Sequence, residues 1–210
     1  GCICSLMIGT LRRLLVASMV MTDLHPLERL LRERLVIIDG AMGTVIQQYK
    51  LSEEQFRGAR FATWPGKDLK GNNELLNLSQ PQIIEEIHRR YFEAGADIVE
   101  TNTFNGQFIS LADYGMESLA YEMSHAGAEC ARRAADGVMA RNPGRHCWVA
   151  GAIGPTTKTS SISTDVNDAS SRGTSWDELV RAYREQVCAL LDGGADILLV
   201  ERIFDTLNAK

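Results

Sequence analysis

One short phrase occurs twice in this chain and limits its possible folds more than any other feature. Gly95-Ala96-Asp97-Ile98-Val99-Glu100 returns as Gly194-Ala195-Asp196-Ile197-Leu198-Leu199-Val200-Glu201. Each copy follows a segment of helical periodicity that stops at glycine, runs through a short apolar strand and ends on a carboxylate. An apolar run without alternation belongs to a strand buried on both faces, the habit of parallel sheets, and parallel strands need long, usually helical, crossovers between them. The phrase is therefore a βα unit stated twice. In βα barrels the side chains at the C-terminal ends of the strands carry the chemistry, which makes Glu201 the leading candidate site residue.

Residues 35–38 and 147–153 read as two further buried strands. Helices are expected over 23–34, with Asp23 as a possible cap and Pro26 in the first turn; after Ser79, with Pro81 in the first turn; over 118–139 and 175–192; and from 204 onward. Residues 107–115 read as loop or a short helical turn. Residues 47–77 and 157–174 are long polar connections, and the spaced aromatics of the first argue a packed excursion over the strand ends. The order predicts an α/β fold of about four βα units, laid out like the N-terminal half of a (βα)8 TIM-type barrel.

Two groups at the strand ends are candidates for binding. Asp39-Gly40-Ala41-Met42-Gly43-Thr44 follows the first strand, and its glycines let backbone N–H groups approach a ligand. On the motif alone it reads as an ordinary βα turn, with a carboxylate-binding turn as the functional alternative. Thr101 and Asn105 lie in the polar stretch after Glu100, where they either orient a small polar substrate or satisfy loop backbone. His88, His125 and Cys130 fall on helices with no second histidine or cysteine at i+4, so they read as packed or solvated side chains. Strand alternation aims Arg202 away from Glu201 unless the strand has already ended, in which case its guanidinium would fold back and compete with a ligand cation for that carboxylate.

With 210 residues, 45% of them hydrophobic, and a net charge of -5, the chain can bury one core and offers no basic footprint for nucleic acid. Cys2, Cys4, Cys130, Cys147 and Cys188 form no disulfide framework or zinc knuckle, which suits reduced thiols in the cytoplasm. Residues 1–22 are expected to be an upstream extension outside a domain running from 23 to 210. The apolar run after Arg12-Arg13 is short and lacks a cleavage pattern, so neither a signal peptide nor a membrane anchor is expected.

Six segments in order carry a family resemblance: Asp39-Gly-Ala-Met-Gly-Thr, Lys70-Gly-Asn-Asn-Glu-Leu-Leu, Phe92-Glu-Ala-Gly-Ala-Asp-Ile-Val-Glu-Thr-Asn-Thr-Phe, Gly154-Pro-Thr, Ser163-Thr-Asp-Val-Asn-Asp and Phe204-Asp-Thr-Leu-Asn-Ala-Lys. From Asp23 onward the chain resembles the homocysteine-binding module of cobalamin-dependent methionine synthases, within the homocysteine S-methyltransferase family, and covers the front half of that module. The resemblance implies a barrel in which zinc on three cysteine thiolates activates the homocysteine sulfur to take a methyl group from methylcobalamin. It implies that Glu201 receives the substrate ammonium, that the backbone of the Asp39, Gly40 and Ala41 turn faces its carboxylate, and that Thr101 and Asn105 line the mouth. None of the five cysteines matches a zinc ligand of the family, so the metal's ligands are expected in the missing half of the barrel and cobalamin and folate on separate modules. This chain by itself is then expected to be inactive.

Three other readings compete. A methyltransferase using betaine or another small donor would need an aromatic cage, for which Trp64 and Phe104 are the candidates. A non-catalytic truncated fragment or half-barrel assembly partner would need no metal set. A phosphate-handling barrel lyase or isomerase would place its phosphate site on later strands.

Overall fold

The computed structural model describes residues 25–161, 163 and 171–210. The expected extension with Cys2 and Cys4, the possible cap Asp23 and most of the run after Ser163 lie outside them. The chain divides into two compact units, one reaching Val36 and one spanning Ile37–Lys210. In the first, helix α1 (Pro26–Glu33) opens on proline behind His25, whose Nδ1 accepts the Leu27 N–H at 3.3 Å. Proline is tolerated there because the first helical N–H has no partner within the helix.

The second unit is built on three parallel strands in sequential order: β1 (Ile98–Glu100), β2 (Trp148–Ile153) and β3 (Ile197–Val200). Its helices are α2 (Met42–Gln48), α3 (Glu53–Arg57), α4 (Leu76–Ser79), α5 (Pro81–Glu93), α6 (Phe108–Leu111), α7 (Ala120–Arg141), α8 (Trp176–Asp192) and α9 (Thr206–Ala209). Helix α7 links β1 to β2 and α8 links β2 to β3, with α5, α7 and α8 packed side by side.

Register decides which side chains meet the helices. Val99 pairs with Val149, and both enter a cluster with Phe92 of α5 and Ala131, Ala134, Ala135 and Val138 of α7. Ile153 packs with Ala128 of α7 and Leu190 of α8. The alternate residues, Ile98, Glu100, Ala150, Ile197 and Leu199, therefore lie on the opposite face. Glu201 continues that set, since its N–H extends the ladder to the Ile153 carbonyl at 3.1 Å.

The repeated phrase is a structural device at its start. Gly95 and Gly194 take φ of 114° and 97°, a region open to residues without Cβ. Each following aspartate then grips its neighbour twice. The Asp97 N–H donates to the Ile37 carbonyl at 2.8 Å while its Oδ2 accepts the Ile37 N–H at 3.0 Å. Asp196 does the same to Val149, at 2.8 Å in both bonds.

Several expectations change. Residues 35–38 do not form a buried strand: Ile38 makes one parallel bridge to Ile98, and Ile37 and Ile38 remain 58% and 44% exposed. With β1 on one side and no strand on the other, this segment has too little cover to propagate a ladder. Ser79 does not cap α5; it closes α4, its hydroxyl donating to the Leu75 carbonyl at 3.3 Å, and Gln80 is the N-cap. Residues 47–77 are far from irregular. Ser52 and Gln55 form a capping box at α3, and Glu53 accepts the Leu69 and Lys70 N–H groups at 2.8 and 2.7 Å. Beneath this excursion Phe61, Leu69, Leu75, Met116 and Met123 make a core of their own, with Trp64 against it. No helix among the described residues is long and apolar enough to cross a membrane.

Candidate functional site

The C-terminal ends of the strands open on a cleft of about 290 Å³. Asp39, Gly40, Ala41, Thr101, Asn105 and Glu201, the six residues expected from sequence, all line it. So do Asn73, Glu74, Glu100, Asn102 and Arg202, which sequence reasoning did not assign to a site, and Phe104, which it offered only for an aromatic cage. A wider groove of about 890 Å³ runs over α6 and α8 past Phe108, Arg181 and Cys188, but it has none of the strand-end groups.

Each wall follows from local structure. Asp39 is held by its own N–H on the Ile98 carbonyl at 3.0 Å and by Oδ1, which accepts the Glu100 N–H at 2.8 Å. Gly40 then leads to Ala41, which takes a left-handed φ of 55° as it starts α2. Opposite, Glu74 is buried, with Oε1 accepting the Asn105 N–H at 2.8 Å. Asn102 donates to the Asn73 carbonyl and to Asn77 Oδ1 at 2.7 and 3.0 Å, so the Lys70-Gly-Asn-Asn-Glu run and the loop after β1 are one hydrogen-bonded body. The Thr101 hydroxyl accepts the Ala152 N–H at 2.9 Å and meets Thr103 Oγ1 at 2.7 Å, which commits it to the sheet and leaves it little capacity for a ligand.

Four carboxyl groups around one small cleft cannot all ionise cheaply. Burial pushes Asp39 up to about 7, with the neighbouring Glu100 and Glu201 charges adding to the rise and the Glu100 N–H opposing it. Burial also raises Glu100, and Glu201 raises it further by like charge and a shared hydrogen bond, while Arg202 draws it down. Glu74 is raised by burial, against the hydrogen bonds from Asn105. Such a cleft is suited to taking a cation and to exchanging protons near neutral pH.

Arg202 does not point away from Glu201. The strand ends at Val200, so alternation no longer applies, and a left-handed φ of 54° turns Arg202 back. Its Nε stands 3.4 Å from Glu201 Oε2 and its guanidinium carbon 5.5 Å from the Phe104 ring centre. Trp64 and Phe104 do not come together as a cage. Trp64 packs on Phe61 and its indole N–H donates to the Tyr114 carbonyl at 3.4 Å.

The cysteines among the described residues do not fit a zinc site. Among the described residues no group of three histidine, cysteine or acidic side chains could hold a metal ion. Cys130 on α7 reaches the Pro81 carbonyl at 3.7 Å, and burial pushes its thiol up to about 11, away from the thiolate a metal needs. Cys147 is buried just before β2, at the end of the sheet away from the cleft, and Cys188 is exposed on α8. His88 is enclosed on α5 with neither ring nitrogen partnered, and burial drives it down to about 3, so it stays neutral. His125 faces Glu129 at 3.6 Å one turn along α7.

The signals for the missed residues lay in the sequence: Glu100 is the counterpart of Glu201 in the repeat, and Glu74 sits within the Lys70 motif. Arg202 was expected to point away, because its orientation depends on where the strand stops, and the strand stops at Val200.

Comparison with known proteins bears on the family and the fold. The family model for homocysteine S-methyltransferase matches residues 36–210. Among solved structures, the oxidized form of the homocysteine methyltransferase MmuM from Escherichia coli superposes with a TM-score of 0.65 at 24% identity, over 88% of this chain and 59% of that one. Its metallated form gives 0.64 at 26% identity over the same shares, and its apo form 0.58 at 24% identity. The chain thus spans 59% of the length of the solved relative. With the strand-end cleft and the family match in agreement, the chain belongs to the homocysteine S-methyltransferase family.

Proposed function

We propose that the cleft binds homocysteine, with Glu201 and Asp39 receiving the ammonium and the backbone of Gly40 and Ala41 facing the carboxylate. The observation that carries this reading is the meeting of Asp39, Glu100 and Glu201 at the ends of parallel strands in a chain of this family. A cation between them offsets the burial that raises Asp39 and Glu100 and the mutual repulsion that adds to it. The amides of Asn102 and Asn105 close the opposite wall.

The finer reading is that of a methionine synthase: methyl transfer from methylcobalamin to homocysteine, giving methionine. Its support is the Lys70-Gly-Asn-Asn and Phe204-Asp-Thr-Leu-Asn-Ala-Lys segments. The second acts as a clasp. Asp205 accepts the Ser160 and Ser161 N–H groups at 3.2 and 3.0 Å, and Asn208 donates to Thr156 Oγ1 and the Lys158 carbonyl at 3.1 Å, fixing the loop that leaves β2. In this reading the three strands belong to the front half of a (βα)8 barrel. Zinc, bound by residues other than those described, would activate the sulfur, and cobalamin would come from another module. The metallated form of MmuM is in keeping with a metal in the family.

Calorimetric titration of homocysteine tests the binding step. Glu201→Gln keeps the shape and removes the charge, and the loss of a charge-assisted contact weakens binding about tenfold to a hundredfold. A wild-type chain that does not bind homocysteine, or a Gln variant that binds it equally well, overturns the reading.

A further inference from the structure

We propose that Arg202 is a built-in occupant of the ammonium subsite, and that its displacement makes the cleft select zwitterionic amino acids over simple amines. The inference rests on the homocysteine reading, because it needs Glu201 to receive the ligand's ammonium.

Arg202 is the one cation among the residues that line the cleft. It lies against Glu201, the carboxylate a ligand cation would need. The two members of the pair differ in environment: the Glu201 side chain is 15% exposed and that of Arg202 is 73% exposed. An ion pair with one partner largely in water is weak, so this contact can open. It is still a competitor, since ammonium and guanidinium seek the same carboxylate oxygens. Besides Glu201, the guanidinium has the face of Phe104, at 5.5 Å from the ring centre, and the charge of Glu100, which it draws down.

Opening leaves the guanidinium at the rim with five N–H donors and no acceptor, a fork that matches a carboxylate in two parallel bonds. A zwitterionic amino acid resolves both needs at once. Its ammonium takes Glu201, and its carboxylate, with four lone pairs to share, meets both the Gly40 and Ala41 turn and the freed guanidinium. An amine without a carboxylate gains Glu201 but leaves Arg202 without its partner. The exchange therefore costs the amine more than the amino acid, and Arg202 sets the difference.

The test titrates the 210-residue chain with homocysteine and with homocysteamine, which is the same aminothiol lacking the carboxylate. Wild type, Arg202→Ala and Arg202→Lys are compared at one ionic strength, with circular dichroism to follow the fold. Loss of the competing ion pair strengthens homocysteamine binding about threefold in the Ala variant. Loss of the charge-assisted contact to the ligand carboxylate lowers the homocysteine-to-homocysteamine affinity ratio about tenfold. The Lys variant keeps the charge without the fork and gives an intermediate ratio, which stands as the test if the Ala variant is misfolded. Variants that bind homocysteine with the wild-type ratio overturn the role of Arg202 and leave the homocysteine reading intact. Absence of homocysteine binding in wild type and variants alike overturns that reading, and this inference with it.

Discussion

Asp39 couples the site to the fold through its proton. Burial raises it from the ordinary 3.8 to about 7, so between those values the folded chain holds a proton that the unfolded chain has released. A folded state that binds more protons loses stability as pH rises, and the loss is complete above the folded value. Stability is therefore expected to fall from pH 4 toward pH 7 through this group, with urea midpoints measured across that range. Asp39→Asn, whose amide oxygen can still accept the Glu100 N–H, should flatten the slope and gain relative to wild type at about pH 8. Ligand binding runs the other way. An ammonium requires the carboxylate form, so homocysteine affinity rises with pH through 7, and the same variant loses that rise. A variant with the wild-type pH slope would assign it to other groups. The presence of Asp39 in a strand-end turn was legible in the sequence; its proton was not, because burial beside Glu100 and Glu201 comes from distant parts of the chain.

The strands depend on the aspartates that open them. Asp97 and Asp196 each accept a backbone N–H of the neighbouring segment while donating their own N–H to that residue's carbonyl, so one side chain fixes position and register together. Asp97→Ala leaves the Ile37 N–H without that acceptor, and losing this part-buried bond costs about 1 kcal/mol. Asp97→Asn retains an oxygen and should cost less, and urea denaturation of both separates the bond from the charge. Equal stability of the Ala variant and wild type would rule the clamp out. The repeat announced the strands because glycine, an apolar run and a terminal carboxylate are local signals. It did not announce the clamp, since a polar residue at a strand start reads alike whether it meets solvent or a neighbour's backbone. Residues 47–77 failed for a related reason. The short helices there are held by Glu53 and Arg57 on distant backbone groups, not by apolar periodicity, although the Ser52 to Gln55 spacing was a readable capping signal.

At the scale of the Ile37–Lys210 unit, the sequential parallel order follows from the βα alternation, because neighbouring units join most directly through right-handed crossovers. Barrel closure is another matter, since it depends on strand tilt and shear shared among all the strands, which no local pattern encodes. The consequence lies at the two edges. On the edge strand β3, Leu198 and Val200 are 39% and 57% exposed, and at the other edge Ile37 and Ile38 are also open. An edge that presents unpaired N–H and C=O groups together with apolar side chains is a template for another strand. The 210-residue chain should therefore self-associate, its average mass in sedimentation rising with concentration through the micromolar range. Val200→Lys places a charge on the edge without touching the cleft, whose wall begins at Glu201, and should shift that rise to higher concentration. Homocysteine affinity should stay unchanged in this variant. A wild-type chain that remains a monomer at every concentration would mean that its edges are protected by the chain's own residues.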